Sequence, residues 1–503
     1  MSLRKNVVAN FAGSAWSALM GLAFVPFYIR LMGVESYGIV GVFTSLMGML
    51  AILDLGLSQA LNREMARLSS EVQKSLRMAD TARTLEVVYW GVALVVGVII
   101  ALLAGPIANY WLNPEQLTRD NLQQALWIMG LVIALRWPVS LYIGGLNGLQ
   151  RQVPVNVLLS VVATMQGGGA LIVLWFVAPT IQVFFIWQAV MALAQVIALR
   201  AVFWHSFPSN HGGTFNKKVL NEIWHFAAGM TGISLLATIL TQLDKVLLSK
   251  LLTLSEFGYY TFAATVAAVL FRLIGPVFTA YYPRLTELVS KNDQLGEAYA
   301  YHQGSQLMAV VILPVAVVLA FFSKEILELW TNNPNMALHA SLLVSLLTIG
   351  NALNGLMHIP YALQLAHGWT KLAFFQNIVA VVVLAPAIYF ATLRWGAIGA
   401  ASVWIALNSG YILITIHIMH RHLLCNEKWS WYFSDVIKPL MVVLILSTFA
   451  RLLLNVVAEN WIMAVVLFLI LCITTVAAIM CSSIIRNKFS VHQFWTKNKQ
   501  SSI

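Results

Sequence analysis

The chain has 503 residues, of which 60% are hydrophobic and only 10% are charged, and its mean hydropathy is +0.80. Soluble domains carry about 25% charged residues, so this composition excludes a soluble globular protein and indicates a polytopic membrane protein. The net charge of +11 fits basic loops that hold a membrane topology, and it does not require a nucleic acid partner.

Long apolar runs along the chain predict membrane-spanning helices. Lipid offers the backbone no hydrogen-bond partner, so a span must be a helix or part of a closed barrel, and runs of about 20 apolar residues are typical of helices. Spans are predicted at 6–29, 37–61, 85–107, 122–147, 155–178, 181–203, 223–249, 256–282, 301–323, 338–365, 372–392, 398–420, 436–457 and 462–485. The predicted fold class is an all-α polytopic membrane protein with about 14 transmembrane helices.

The distribution of basic residues supports this number of spans. If both termini are cytoplasmic, the cytoplasmic loops and tails hold 19 Lys and Arg residues, whereas the opposite side holds 5. This asymmetry recurs loop after loop, and a missed or additional helix would disturb it downstream. The sequence therefore predicts a multi-pass protein with both termini in the cytoplasm.

Two pairs of segments repeat at a common offset of 220 residues. "RLMGVESYGIVGVF" resembles "KLLTLSEFGYYTFA", which pairs Gly38 with Gly258, and "NGLQR" aligns with "HGWTK" at the same offset. Such a repeat predicts two six-helix lobes related by duplication, followed by two further helices. The predicted domains are an N-lobe at 1–215 with helices 1–6, a C-lobe at 216–425 with helices 7–12, and residues 426–503 with helices 13–14 and a basic cytoplasmic tail.

Charged side chains inside the predicted spans are the first candidate functional residues. They are Asp54, Arg136, Asp244, Lys245, Arg272 and Arg451. Each costs roughly 3 kcal/mol at the centre of a span, so such residues usually face other helices or a wet cavity. Two interpretations stay open: an ion pair between helices, such as Asp54 with Arg272, or a cation-rich cavity lined by Arg136, Lys245 and Arg272. Asp54 and Asp244 are candidates for ion pairing or for coupling to a proton or a sodium ion.

Small polar residues form stripes on two of the predicted helices. On the seventh helix, steps of three and four residues place a polar set on one face: Thr231, Ser234, Thr238, Thr241 and Lys245. On the first helix the same spacing relates Asn10, Ser14, Ser17 and Gly21. Such stripes either line a cavity or allow close helix packing. The seventh-helix stripe is interpreted as a substrate-binding surface, and both readings stay open for the first helix.

No set of residues in the sequence indicates catalysis. The three cysteines, Cys425, Cys472 and Cys481, lack the spacing of metal ligands, and no nucleotide-binding motif is found. The sequence also contains no credible combination of nucleophile, base and acid. We therefore predict no catalytic residues, no metal and no cofactor, and the protein is not expected to be an enzyme.

Three segments resemble a known family. "RLMGVESYGIVGVFTSLMGMLAILDLGLSQALNRE", "QLDKVLLSKLLTLSEFGYYTFAATV" and "LNGLQR" resemble segments of the bacterial polysaccharide exporters, the Wzx-type O-antigen flippases. The resemblance extends over roughly residues 6–420. These flippases belong to the MOP (multidrug/oligosaccharidyl-lipid/polysaccharide) superfamily, with lipid II flippases and MATE-type multidrug exporters. Many O-antigen flippases have twelve helices, so the two additional spans leave the substrate open.

The resemblance implies a transport function. A flippase of this type moves an undecaprenyl-pyrophosphate-linked oligosaccharide, such as an O-antigen repeat unit of lipopolysaccharide, from the cytoplasmic to the periplasmic leaflet by alternating access. The implied location is a bacterial inner membrane. The implied partners are the lipid-linked oligosaccharide, membrane lipids, a glycan polymerase and chain-length machinery, with no nucleic acid.

Three functions are alternatives to the transport of a lipid-linked oligosaccharide. A cation-coupled multidrug exporter or a lipid II flippase would share the fold, but a drug exporter is expected to place acids in its cavity, and four of the six span charges are cations. A membrane-embedded glycan polymerase or ligase belongs to a different class and needs a sizeable outer loop. The longest predicted outward loops have only about a dozen residues.

Overall fold

The computed structural model describes residues 3–68, 75–207, 213–453 and 460–485, and these residues fall into two compact units. The first unit is Met1–Gly258 and the second is Tyr259–Ile503. This division follows contacts within the chain, whereas the boundaries predicted at 215/216 and 425/426 follow the repeat. The latter stay predictions.

In the described residues, nine α-helices lie in the first unit and a tenth begins there. They are α1 (Leu3–Ala23), α2 (Val25–Leu50), α3 (Leu57–Leu68), α4 (Ser75–Pro106), α5 (Arg119–Arg136), α6 (Val139–Gly148), α7 (Gln152–Phe176), α8 (Ile181–His205), α9 (Lys217–Leu251) and α10 (Leu254–Ala267). Within the unit, α3, α4, α6 and α8 enclose an apolar core in which Tyr142 and Phe203 are fully buried.

As far as the structure describes it, the second unit continues α10 and contains ten further α-helices. They are α11 (Val269–Ser290), α12 (Gln294–Phe321), α13 (Ser323–Thr331), α14 (Pro334–Leu356), α15 (His358–Ala366), α16 (Thr370–Gly410), α17 (Ile416–His422), α18 (Lys428–Ser430), α19 (Lys438–Leu453) and α20 (Asn460–Cys481). The apolar core of this unit surrounds α12. Tyr301 on α12 and Trp431, which precedes α19, are both fully buried in this core. The described residues are helical with no strand, which confirms the predicted all-α class.

Eleven helical stretches of the described residues are long and apolar enough to cross a membrane. One of them, Thr370–His422, covers two predicted spans, and Gly396 interrupts its helical geometry with φ 58°. The predicted spans at 6–29 and 223–249 coincide with the helices α1 and α9, which are not among the eleven. The chain is therefore a multi-pass membrane protein, and the count of fourteen spans stays a prediction.

The second predicted span, 37–61, is not a continuous helix, and that prediction was wrong. Helix α2 passes into a short 3-10 turn that ends at Asp54, and α3 begins at Leu57. Leu55 at φ 48° and Gly56 at φ 76° lie in the left-handed region, which an α-helix cannot include. Hydropathy does not detect such a break because the residues on both sides are equally apolar. Asp54 therefore lies between two α-helices, just before the start of α3, and not inside a continuous α-helix.

The two glycines paired by the repeat make reciprocal contacts in the first unit. A Cβ atom at Gly38 would lie 2.4 Å from the carbonyl oxygen of Leu254, and one at Gly258 would lie 2.3 Å from that of Val34. Val34 and Leu254 are themselves related by the offset of 220. The repeated segments thus contact each other through equivalent positions, and only glycine allows the backbones to approach this closely.

Replacing Gly38 with alanine is expected to lower the free energy of unfolding by about 1–3 kcal/mol, because the new methyl group would overlap a backbone carbonyl that cannot rotate away. Thermal unfolding of the purified protein measures this effect. The matched control is Gly91→Ala on α4, where a Cβ atom meets nothing within 4 Å, so the change should be neutral or stabilise the protein by up to about 1 kcal/mol. Equal melting temperatures of the two variants would contradict the packing argument.

A buried polar network joins the C-terminal helices to α12 in the second unit. The Nδ1 atom of His302 lies 2.5 Å from Oδ2 of Asp435, and its Nε2 atom lies 3.0 Å from Oε2 of Glu427. Gln306 donates to Oδ1 of Asp435 at 2.9 Å and accepts a hydrogen bond from the backbone N–H of Ile484 at 3.1 Å. Asp435 precedes α19 and Ile484 follows α20, so the network ties both terminal helices to α12.

Candidate functional site

Arg136 occupies a helix end in the interior of the first unit. It is the last residue of α5, and Pro138 separates this helix from α6. The free carbonyl groups at a helix C-terminus carry partial negative charge, which stabilises a cation there.

The guanidinium group of Arg136 lines a cavity of about 400 Å³ in the first unit. Helices α1, α2, α5, α7 and α8 supply its walls. Its polar lining residues are Ser17, Tyr28, Thr44, Arg136, Gln166, Gln188 and Gln195. Its other lining residues are Met20, Gly21, Val40, Phe43, Leu159, Val162, Ala163, Gly167 and Phe184. The cavity therefore combines one cation and several neutral hydrogen-bonding groups with an apolar wall.

The neighbours of Arg136 leave its charge available. It donates through Nη2 to Oε1 of Gln188 at 2.7 Å, and its guanidinium carbon lies 5.4 Å from the centre of the Phe43 ring. Its Nε atom is buried and has no hydrogen-bond partner in the described part of the chain. No salt bridge of Arg136 is found among these residues. A guanidinium group without a carboxylate partner and with a buried N–H donor still free favours the binding of an anionic ligand.

Amide side chains provide most of the neutral polarity of the cavity. Gln188 and Gln195 are both buried on α8, and Gln166 lies on α7. Each amide carries donors and an acceptor, so a set of them can bond hydroxyl groups without adding charge. The described lining includes no carboxylate. These glutamines were not predicted as site residues, although uncharged polar residues within apolar spans were a usable signal.

The polar stripe on the first helix both lines the cavity and packs against a neighbouring helix. Ser17 and Gly21 line the cavity, and a Cβ atom at Gly21 would meet nothing within 4 Å. Asn10, nearer the start of α1, instead bonds α7: it donates to Oε1 of Gln152 at 3.0 Å and accepts from Asn156 at 2.5 Å. One end of the stripe thus serves packing and the other serves the cavity.

The predicted seventh-helix residues lie on α9 and do not line the Arg136 cavity. Lys245 and Thr238 are half-buried, and Thr241 is exposed and donates its hydroxyl to the backbone oxygen of Thr238 at 3.1 Å. The side chains of Thr231 and Ser234 lie outside the described part of the structure. A role of this stripe in substrate binding stays a prediction.

The remaining predicted charges occupy separate places. Asp244 is half-buried on α9 in the first unit. Arg272 lies on the exposed side of α11 in the second unit, and no ion pair of Arg272 occurs among the described residues. The cavity described above therefore contains one of the three predicted cations, Arg136.

Asp54 is held by neutral groups. It accepts a hydrogen bond from the hydroxyl of Tyr89, one from that of Ser58 at 2.8 Å and one from that of Ser140 at 3.3 Å. The backbone N–H of Ser58 also donates to it at 3.4 Å, so Asp54 caps the start of α3. Hydroxyl and N–H donors stabilise a carboxylate without a cation nearby. Roles of Asp54 and Asp244 in ion coupling or ion pairing stay predictions.

Two polar clusters were not predicted from the sequence. One is the network around His302 described above. The other centres on Glu86, a buried acid on α4 that pairs with Arg83 and Arg200. Glu86 and Arg200 both lie at the ends of predicted spans, where a charge can be attributed to the membrane surface. In the described ranges no group of three or more His, Cys, Asp or Glu residues is arranged to hold a metal ion.

Comparisons with known proteins agree with this architecture. The sequence model of the family described as "Polysaccharide biosynthesis protein" matches residues 3–289, which is more than half of the chain. A curated protein of Shigella flexneri named "Putative O-antigen transporter" is 22% identical over 411 residues, covering 80% of this chain and 94% of that protein.

Two solved structures share the fold. The lipid II flippase MurJ in an inward closed conformation matches with a TM-score of 0.65 and 14% identity, over 93% of this chain and 97% of the other. An inward-facing MATE-family multidrug resistance transporter of the MOP superfamily matches with a TM-score of 0.61 and 14% identity, over 81% and 96%. These relatives and structural neighbours are transporters and flippases, not enzymes. The chain is therefore a multi-pass membrane protein that belongs to the polysaccharide biosynthesis protein family.

Proposed function

We propose that this protein moves an undecaprenyl-pyrophosphate-linked oligosaccharide from the cytoplasmic to the periplasmic leaflet of a bacterial inner membrane by alternating access. The observation that carries the proposal is the position of Arg136. It lines a polar cavity, bonds only a neutral amide and an aromatic ring in the described residues, and keeps a buried Nε donor without a partner. The curated relative named as an O-antigen transporter supports the choice of cargo.

The chemistry of the cargo fits that of the cavity. A diphosphate cannot cross hydrocarbon unaided, and the planar guanidinium group of arginine binds phosphate oxygens through two parallel hydrogen bonds. Gln166, Gln188 and Gln195 can bond sugar hydroxyls through both donors and acceptors. The lipid tail does not need to enter the polar cavity and can stay in the bilayer.

A multidrug exporter is the main rival with the same fold. Its cargo is usually cationic, so a carboxylate is expected where the cargo binds. The described lining of the Arg136 cavity holds a cation and no acid. The charge of this cavity therefore favours an anionic lipid headgroup over a cationic drug.

The source of energy is a second part of the proposal. A membrane potential that is negative inside favours outward movement of an anion by about 2.3 kcal/mol per charge for each 100 mV. Antiport of a proton or a sodium ion through Asp54 or Asp244 is the alternative. We also propose that both termini are cytoplasmic, and that glycan polymerase and chain-length machinery receive the cargo on the periplasmic side.

A reconstitution assay tests the function. The purified protein is placed in vesicles with a fluorescent lipid-linked oligosaccharide, and a membrane-impermeant quencher measures how much cargo reaches the opposite leaflet under imposed potentials and ion gradients. We expect cargo movement above that of protein-free vesicles, and faster movement with a potential or gradient of the correct sign. Uptake of a cationic dye without movement of the lipid-linked cargo would reject the proposed cargo. Movement that is indifferent to every gradient would reject both energy sources.

A further inference from the structure

Two exposed apolar stripes of the first unit end in arginine. On α4, Val87, Leu94, Val98 and Leu102 are exposed and share one face with Arg83. On α8, the exposed Ile186, Val190, Leu193 and Ile197 share one face with Arg200. An exposed apolar stripe on a membrane-spanning helix is a surface suited to lipid.

The lengths of these stripes match a bilayer. Arg83 and Leu102 are nineteen residues apart, which is about 28 Å along a helix, and Arg200 lies equally far from Ile181 at the start of α8. The hydrocarbon core of a bilayer is about 30 Å thick. Both arginines therefore stand at the boundary between hydrocarbon and headgroups when the stripes face lipid. The distribution of basic loops predicts that this is the cytoplasmic boundary.

A buried carboxylate fixes the two arginines side by side. Glu86 is 3% exposed, and its two oxygens accept hydrogen bonds from Nη1 of Arg83 and from Nε of Arg200, each at 2.7 Å. It also accepts from the hydroxyl of Tyr142 at 2.6 Å and from Nε1 of Trp204 at 3.3 Å. Four donors hold this carboxylate in place, so the positions of both guanidinium groups are preorganised.

The cluster keeps an excess of positive charge and of donors. Two arginines against one glutamate leave one net positive charge. The arginine side chains are 43% and 49% exposed, and each guanidinium group has five N–H donors, of which Glu86 engages only part. Arg83, Glu86, Val87, Trp90 and Arg200 line an open pocket of about 490 Å³. The pocket thus combines positively charged guanidinium groups with the apolar side chain of Val87 and the indole ring of Trp90.

We propose that this pocket binds the phosphate group of a membrane lipid, with the acyl or prenyl chains lying along the stripes of α4 and α8. Arginine donors match phosphate oxygens. The phosphate belongs to an anionic glycerophospholipid or to a polyprenyl phosphate, which share this chemistry. The site is separate from the Arg136 cavity, so it does not depend on which cargo the protein carries.

Native mass spectrometry of the detergent-purified full-length protein tests the site with three added lipids: phosphatidylglycerol, undecaprenyl phosphate and diacylglycerol, which lacks phosphate. We expect the amount of phosphate-bearing lipid bound to the double variant Arg83→Gln/Arg200→Gln to be about tenfold lower than for the wild type, or lower still, because charge-assisted hydrogen bonds are lost. The matched control is Arg77→Gln on the same helix, whose exposed ion pair with Glu222 lies outside this pocket, and it should bind like the wild type. Undiminished binding by the double variant would overturn the proposal.

A second experiment leaves both arginines in place, so a folding defect cannot imitate the result. A photoactivatable benzoylphenylalanine at the exposed position Val87 is crosslinked in nanodiscs that contain the same lipids. We expect adducts with phosphate-bearing lipids to exceed those with diacylglycerol at least fivefold. Competition between phosphatidylglycerol and undecaprenyl phosphate then identifies the source of the phosphate, and a preference for either supports the site. Equal crosslinking of diacylglycerol would overturn it.

Discussion

Replacing Arg136 with alanine is expected to lower movement of the lipid-linked glycan about 100-fold or more without lowering the abundance of the protein. Two charge-assisted hydrogen bonds to phosphate, worth about 1.5 kcal/mol each, account for a factor of this size. The fold should tolerate the change, because Arg136 makes one side-chain hydrogen bond to Gln188 and its Nε atom is already without a partner among the described residues. Surface glycan display and the vesicle assay both measure the effect.

One further variant at this position separates charge from geometry, and two variants at other arginines serve as comparisons. Arg136→Lys keeps the charge but loses the planar fork, so we expect transport between those of the wild type and Arg136→Ala. Arg77→Ala removes an exposed arginine of the same unit that lies outside the cavity, and it should transport normally. Arg272→Ala, in the second unit, is expected to block display as Arg136→Ala does. Normal glycan display by both alanine variants, Arg136→Ala and Arg272→Ala, would defeat the proposal of a cationic binding surface.

Replacing Asp435 with alanine is expected to lower the free energy of unfolding by about 2–5 kcal/mol, the cost of leaving the buried hydrogen-bonding partners of its carboxyl group without an acceptor. Asp435 is fully buried and bonds both His302 and Gln306, so its loss leaves two buried polar groups without their acceptor. Thermal unfolding of the purified protein measures the change. Limited proteolysis should show that α19 and α20 become accessible first, because the network ties them to α12.

Glu427 provides the control for this network. It contacts the other ring nitrogen of His302 at 3.0 Å, but its side chain is 35% exposed and water can replace its hydrogen bond. Glu427→Gln should therefore cost less than about 1 kcal/mol. If Asp435→Ala melted at the same temperature as Glu427→Gln, the network would not stabilise the attachment of the terminal helices.

The close approach of Gly38 to Leu254 and of Gly258 to Val34 shows what a sequence repeat can and cannot predict. The offset of 220 pairs the two glycines from the sequence, since duplicated segments keep the residues that their contacts require. Their reciprocal approach to Leu254 and Val34 gives that pairing a steric cause. The contact itself could not be derived, because a repeat does not state which surfaces of its two copies meet.

One argument selected both Asp54 and Arg136, but the structure places the two side chains in different surroundings. Both were selected as charges in apolar surroundings, and the cost of burying a charge is a sound reason for selection. The left-handed residues Leu55 and Gly56 turn the position of Asp54 into a helix cap that neutral donors satisfy. Arg136 instead reaches a cavity. The path of the backbone, which hydropathy does not encode, decides which of the two charged side chains lines a cavity, and a coupling role of Asp54 stays a prediction.

The sequence by itself determined the all-helical membrane class, the positions of most spans, the internal repeat and the resemblance to polysaccharide exporters. These follow from composition, from the length of apolar runs and from local patterns, all of which act between neighbouring residues. Only the tertiary structure decided that glutamines from α7 and α8 surround Arg136, and that Glu86 binds two arginines from different helices. Side chains far apart in the chain meet only through helix packing, and many packings satisfy the same hydrophobic pattern.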